Sequence, residues 1–323
     1  MYVAWVRRFV EFSGRRHPCE LAEPEIAAFL SMLVERNHVA AGTQNQALAA
    51  LLFLYRHVLG QPVSVGREVT HGKRPKRLPV VMTPEEVWRV LAAMTGVERL
   101  AAQLMYGSGL RLMECMTLRV KDVDFSAREI LVRSGKGNKD RRTMLPVSVC
   151  EELRAHLRKG QALHARDLRR GDVSVELPDA LASKFPAASR EWPWRWVFPA
   201  SRLYQARSGG RRRHHLHASQ VQRAVHDAVR AAGLTKRVSC HTFRHSFATH
   251  LLQAGYDIRT IQELLGHSDV RTTMIYTHVL NVGGRGVRSP ADMRPGPSIE
   301  LGLDLPPLRP TLLSRQLGGG QQR

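Results

Sequence analysis

A mainly α chain with a small β-sheet, arranged in two domains, is what this sequence predicts. Three observations carry that expectation. Apolar residues recur at helical spacing near both ends, as in "EPEIAAFLSMLVERN" and "HTFRHSFATHLL". The stretch "REILVRSGKGNKDRRTMLPV" instead reads as two short strands, Ile130 to Arg133 and Arg142 to Pro146, joined by a Gly-Lys turn. Between the helical blocks, "REVTHGKRPKRLPVVMTPEE" loses apolar periodicity and gains prolines and basic residues, the composition of a linker. The boundaries that follow are a helical domain over 1–66, a basic linker over 67–81, a mixed domain over 82–290 and a Gly- and Pro-rich tail over 291–323.

Each element has a local reason. In the first domain Ile26, Phe29, Leu30 and Leu33 fall on one helix face. Leu48, Leu51, Leu52 and Tyr55 do the same for the next helix, which Gly60 ends. The second domain opens on "TPEE". Here Thr83 stands at the N-cap, Pro84 at the first helical position and Glu86 three residues past the cap, a capping box. Towards the C-terminus Phe243, Phe247 and Leu251 form one stripe, Gly255 stops it, Asp257 caps the following helix and Gly266 ends that.

Charge narrows the function. The 323 residues carry a net +21, with a pI near 11.0. A surplus of that size implies a polyanionic partner, nucleic acid before an anionic membrane. No apolar run is long enough to span a bilayer, and "MYVAWVRRFVEFSG" lacks the order of a signal peptide. Cys19, Cys115, Cys150 and Cys240 have no CxxC spacing, so neither a disulfide framework nor a zinc knuckle is indicated. A cytoplasmic, nucleoid-associated protein is the expectation.

Four clusters carry chemistry. In "GSGLRLME", Arg111 starts a helix after a flexible turn and shares a face with Glu114, which could orient the guanidinium or simply pair with it. In "SGKGNKDRR", Lys136 sits between two glycines at the hairpin tip, with Lys139 and Arg141 beside it as candidates for DNA contact. In "SCHTFRHSFATH", His241 and Arg244 lie three apart, off the apolar stripe, whereas His245 and His250 are assigned local hydrogen bonds. In "LLGHSDVRTTMIYTHV", His267 follows the helix-ending glycine and Tyr276 lies nine residues later. These residue types make joint sense around a phosphate. Guanidiniums match its oxygens and hold the extra charge of a five-coordinate transition state. Nearby cations favour the phenolate of a tyrosine nucleophile, and a lysine can protonate the leaving oxygen. The arginines supply the positive charge, so neither metal nor cofactor is implied.

"GLRLME", "GKGNKDR", "HTFRHSFATHLL" and "LLGHSDVRTTMIYTHV" resemble, in order and spacing, the boxes of the tyrosine recombinases, the phage-integrase family. The resemblance implies a helical core-binding, SAM-like domain and a catalytic domain of tyrosine-recombinase type, together a two-domain DNA clamp. It makes Arg111, Lys136, His241, Arg244 and His267 the activating residues, Tyr276 the nucleophile and Glu114 a supporting acid. It also implies a homo-tetramer on DNA from a chain that is monomeric in free solution. A narrower likeness is to the integron integrases. It rests on "LPDALASKFPAASREWPWRWVFPASRLYQARSGGRRRHHLHASQVQRAV", which is similar to that subfamily's insert and is placed near 178–217. That subfamily recognises cassette sites as folded single strands with extrahelical bases, besides double-stranded sites. Trp194, Arg213, His214 and His215 are the insert's candidates for DNA contact. Trp192 and Trp196 are read as core residues of a strand, with base contact left open for Trp194, His214 and His215. "HHLH" lacks the further ligands a zinc site needs.

The first helix is expected to be short against the subfamily, and the tail has no counterpart in it. Two rival readings stand. One is a recombinase of the phage or chromosome-dimer-resolution type, with a type IB topoisomerase as a more distant relative. The other is a catalytically impaired DNA-binding relative.

Overall fold

The computed structural model describes residues 1–64, 78–133, 140–171, 173–178, 181–206 and 209–277. Most of the linker expected at 67–81, Lys136, Lys139 and everything after Thr277 therefore lie outside the described residues. The chain divides into two compact units, Met1–Pro79 and Val80–Arg323. Both are mainly helical.

The first unit holds α1 (Tyr2–Phe12), α2 (Glu23–Glu35) and α3 (Ala41–Phe53), the last prolonged by one π turn, Leu54–Val58. The predicted face of α2 is buried in full: Ile26, Phe29, Leu30 and Leu33 meet Trp5 and Phe9 of α1. On α3 the buried face is Gln44, Ala47, Leu51 and Tyr55, while Leu48 and Leu52 are only half-buried. The small alanines admit close helix packing. The two polar groups this face buries are matched: the Gln44 amide donates to the Leu30 carbonyl at 3.1 Å, and the Tyr55 hydroxyl lies 2.9 Å from the Pro18 carbonyl oxygen.

The second unit begins with α4 (Pro84–Ala92), whose capping box forms as predicted. The Glu86 N–H donates to Thr83 Oγ1 at 3.2 Å and the Thr83 N–H to Glu86 Oε2 at 2.8 Å. Then come α5 (Gly96–Ser108), α6 (Leu112–Met116) and an antiparallel sheet of β1 (Val123–Asp124), β2 (Glu129–Val132) and β3 (Arg141–Met144). The predicted hairpin is present, shifted one residue at β2 and gaining a third strand. Ile130 faces Thr143 across it, and both are buried.

The long α7 (Val147–Arg169) leads into a second sheet, which periodicity did not indicate. It consists of β4 (Val173–Ser174), β5 (Pro199–Gln205) and β6 (Arg211–His215), in the order β4-β6-β5, with α8 (Leu181–Lys184) in the connection. The strand expected for "WPWRWVF" does not form. Trp192–Trp194 make a 3-10 turn, with Pro193 at a position where its missing N–H costs nothing. Trp196 is buried as expected, and Trp192 only half-buried.

Four helices finish the unit: α9 (Ala218–Ala231), α10 (Cys240–Gln253), α11 (Ile258–Leu265) and α12 (Arg271–Met274). The core runs through Leu104, Leu153, Phe198, Val225 and Phe243, so α5, α7, α9 and α10 share one interior. The predicted stops hold: Asp257 accepts from the Thr260 N–H at 2.9 Å, and Gly266 ends α11 with φ +63°.

Gly109 closes α5 in the same left-handed conformation, φ +63°, and a Cβ there would stand 2.6 Å from the Phe247 ring. Gly109→Ala combines left-handed strain with overpacking and is expected to cost about 2 kcal/mol or more. Gly233→Ala, at φ +66° with open space around it, should cost only about 1 kcal/mol. Urea unfolding of the two variants measures the difference.

Candidate active site

The site forms where the ends of α5 and α11 meet the buried faces of α6, α10 and β3. At its base is Glu114. The Arg141 guanidinium donates to both its oxygens, at 2.9 and 2.7 Å. From the other side Arg111 donates through its backbone N–H at 2.8 Å and through Nη1 at 2.6 Å, and Arg244 Nη1 stands 3.8 Å away. Arg111 occupies the N-cap of α6 and Glu114 its third position, so the carboxylate also closes the helix start. Burial on its own would raise the Glu114 pKa. The Arg141 hydrogen bonds and charge, joined by Arg111, overcome that and hold it at about 2.

Arg244 is 3% exposed, and two helix C-termini grip it. Its Nη1 donates to the Gly109 carbonyl and its Nη2 to the Leu265 carbonyl, each at 2.5 Å. Such terminal carbonyls have no partner within their own helix and carry the negative end of its dipole. Burial and the Arg111 charge nevertheless press the Arg244 pKa down to about 9, so it remains a cation at neutral pH.

Above Arg244 stand two imidazoles and a phenol. Nε2 of His267 lies 3.1 Å from Arg244 Nη2, and its Nδ1 lies 2.9 Å from Thr273 Oγ1. Because a guanidinium only donates, this places the proton on Nδ1 of His267. The ring of Tyr276 lies parallel to that of His267, with centroids 6.4 Å apart. Tyr276 is 1% exposed, packed with Phe247, Ala248, Ile261 and Leu265. Burial raises its pKa above the ordinary tyrosine value, and the charges of Arg244 and Arg111 offset that only in part. The expected phenolate is thus not the resting state. His241 lies at the rim, its pKa lowered by burial and by the Arg244 and Arg111 charges.

The structure accordingly brings together Arg111, Glu114, His241, Arg244, His267 and Tyr276, from four separate segments. It also corrects three sequence-based expectations. Arg141 is no free DNA contact: its side chain is 8% exposed, locked on Glu114 and donating through Nε to the Leu264 carbonyl at 2.9 Å. Arg213 is likewise buried, with Nε and Nη2 each 2.6 Å from the two oxygens of Asp167. Both sequence neighbourhoods are so basic that nothing in them marks which arginine turns inward. His245 is the third correction. Its Nδ1 contacts no local group but lies 3.0 Å from the Tyr276 hydroxyl. Its place next to Arg244 was the available signal. His250 does not bond locally either: its partners are the Tyr106 hydroxyl and the Met82 carbonyl oxygen, each at 2.9 Å and both distant in sequence.

In the insert, Trp194 is half-buried, with Lys121 Nζ 3.0 Å from its ring centroid. Trp196 is covered by the Arg119 guanidinium, 3.3 Å from its centroid. His214 is exposed, and His215, 3.9 Å away between centroids, is 9% exposed and edge-on to Trp196. His214 borders an open cleft with Arg202, Tyr204, His217, Gln220 and Arg223. Among the described residues no group of His, Cys, Asp or Glu is placed to hold a metal ion, and no helix is long and apolar enough to cross a membrane.

A mainly helical unit that gathers arginines, histidines and a tyrosine has the residue types of an enzyme acting on phosphodiesters, and comparison with known proteins gives its family. Residues 80–281 match the phage integrase family, and residues 1–65 match its N-terminal SAM-like domain. An "Integrase/recombinase" of Escherichia coli is 52% identical over 91% of this chain and 88% of its own length. "Tyrosine recombinase XerD" of Agrobacterium fabrum is 34% identical over 84% and 80%. Among solved structures, XerH site-specific recombinase bound to palindromic difH substrate, in a post-cleavage complex, matches with a TM-score of 0.56. It is 22% identical over 86% of this chain and 75% of that one. The chain belongs to the phage integrase family. It is a tyrosine-type site-specific DNA recombinase.

Glu114 gives a pH test. Its folded pKa lies below the ordinary value of 4.5, so its stabilisation is complete above about 4.5 and is lost as pH falls through about 2. The full shift corresponds to roughly 3 kcal/mol. Glu114→Gln should be less stable than the wild type at neutral pH by an amount of that order. The gap should narrow as urea denaturation is repeated from pH 5 down to pH 2.5.

Proposed function

We propose that this recombinase is an integron-type integrase, which inserts and excises gene cassettes through a 3′-phosphotyrosyl intermediate. The observation that carries the chemistry is the gathering of Arg111, Arg244, His241 and His267 about the Tyr276 ring and hydroxyl. The two guanidiniums take the non-bridging oxygens of a phosphodiester and hold the charge that builds on them in the transition state. His241 and His267 complete that shell. Tyr276 forms the new bond to phosphorus, and Lys136 protonates the 5′-oxygen that leaves. Bond energy stays in the phosphotyrosyl ester, so a 5′-hydroxyl from a partner strand reverses the step without ATP, metal or cofactor. Two sites exchange strands within a homo-tetramer on DNA, assembled from protomers that are monomeric in free solution.

The cassette reading is supported by the insert. The rings of Trp194 and His214 remain accessible, next to the cations Lys121, Arg202 and Arg223. Rings and cations together suit bases that have left the stack, as in a folded single strand. His215 has less scope, being nearly buried. The second reading, a recombinase of the phage or chromosome-dimer-resolution type, is supported by the likeness to "Tyrosine recombinase XerD".

Tyr276→Phe should bind DNA as the wild type does and form no covalent adduct on a nicked suicide substrate. An adduct from this variant, resolved by denaturing electrophoresis, assigns the nucleophile elsewhere. Trp194→Ala should weaken binding to a folded hairpin site at least about five-fold while leaving a paired duplex unaffected. Equal or better use of the duplex by the wild type removes the cassette reading.

A further inference from the structure

Tyr276 is buried in an apolar cluster, and the hydrogen-bond partner of its hydroxyl is neither of the histidines that the family boxes mark. That partner is His245, 3.0 Å away through Nδ1. The rings of His245 and Tyr276 have centroids 5.6 Å apart at a tilt of 51°, and the His245 ring meets that of His241 edge-on at 6.0 Å. His241 and His267 make other contacts. His241 lies at the rim, and His267 spends Nδ1 on Thr273 and Nε2 on Arg244. Of the three imidazoles around the phenol, only His245 has a ring nitrogen within hydrogen-bond distance of the reacting oxygen.

We propose that His245 is the proton acceptor for Tyr276 in the strand-cleavage step, a reading that rests on Tyr276 as the nucleophile. The phenol O–H donates to Nδ1 of a neutral imidazole that carries its own proton on Nε2. As Tyr276 Oη bonds to phosphorus, the O–H bond breaks and its proton passes to Nδ1. The P–O5′ bond breaks with its electron pair going to the 5′-oxygen, which takes its proton from Lys136. In the reverse step His245 returns the proton to the departing phenolate. No oxidant or metal enters the balance.

The charged and titratable groups around His245 suit this role. Its helix α10 contributes His241 and Arg244. Tyr276 faces His245 from the segment after α12, and His267 lies behind Arg244, bonded to its Nη2. Burial, followed by His241 and Arg244, lowers the His245 pKa to about 4, so the imidazole is neutral and its lone pair free throughout the physiological range. In the DNA-free protein transfer from the phenol is strongly uphill, which keeps the tyrosine protonated and inert. A bound phosphodiester brings a negative charge between Arg244 and Arg111. It offsets the cations that depress His245, so the base strengthens only when substrate is in place.

The test compares the wild type with His245→Asn, whose side-chain oxygen replaces Nδ1 as a hydrogen-bond acceptor and cannot take up the proton. Adduct formation on a nicked suicide substrate is followed from pH 4 to pH 8, with DNA binding measured in parallel. The wild-type rate should fall with an acid limb as His245 is protonated. In His245→Asn the rate should drop about 100-fold at neutral pH, within the range for loss of a proton-transfer group, and that limb should vanish. A variant that cleaves at the wild-type rate or faster overturns the proposal and leaves the contact as a resting latch. So does a variant that keeps the acid limb. If the substitution fails to fold, the wild-type profile still decides: a rate flat down to pH 4 in DNA-bound protein excludes His245 as the acceptor. Tyr276→Phe is run alongside, since an adduct from it overturns the nucleophile assignment and not the role of His245.

Discussion

One carboxylate organises the catalytic unit. Glu114 draws Arg111, Arg141 and Arg244 to a single point, although the three arise from a helix start, a strand and a helix interior. Three guanidiniums so close together repel one another, and without an anion between them the site would spread apart. The carboxylate neutralises one charge and leaves the group with a net surplus. That surplus is what a phosphodiester meets. Arg141 satisfies both carboxylate oxygens, so Arg111 and Arg244 are positioned without being fully neutralised. The charge therefore acts twice, first in holding the fold and then in holding the substrate.

Backbone geometry provides the second restraint. Gly109 and Gly266 turn α5 and α11 sharply in the left-handed conformation, and each turn releases a carbonyl towards Arg244. A Cβ at Gly266 would fall 2.6 Å from Arg141 Cδ, just as one at Gly109 would strike Phe247. Both glycines thus admit a close approach as well as a positive φ. The glycine of "GSGLR" and that of "LLGH" serve the same guanidinium from opposite sides, which explains why a motif of arginine, histidine and tyrosine is punctuated by glycines.

How much of this the sequence disclosed follows from the range of the interaction involved. Elements decided locally were legible: the Thr83 capping box, the Asp257 cap, the α2 face and the β2–β3 hairpin each depend on residues within a few positions. The site was legible as a set of residue types whose chemistry converges. What escaped depends on distant partners. Asp167 and Arg213, 46 positions apart, bury each other, and no local pattern distinguishes that arginine from its basic neighbours. The β4-β6 pairing joins a two-residue strand ahead of the insert to a strand within it, and the paired stretch is too brief to show a period of two. The helix around His245 holds no trace of its partner, which is 31 residues away.

A basic site raises a question of self-restraint, since cations that stabilise a phenolate would make the tyrosine reactive before DNA arrives. Burial answers it. The same apolar shell that fixes the Tyr276 ring removes water from its hydroxyl, and the cost of a charge there exceeds what Arg111 and Arg244 return. The arginines are engaged with Glu114 and with helix carbonyls, so they do not turn towards the phenol unprompted. On the proposed reading of Tyr276 as the nucleophile, a phosphodiester that draws Arg244 and Arg111 into new hydrogen bonds is the anion that would change this balance. In that proposal substrate binding and activation of the nucleophile are coupled, because both involve the same two guanidiniums.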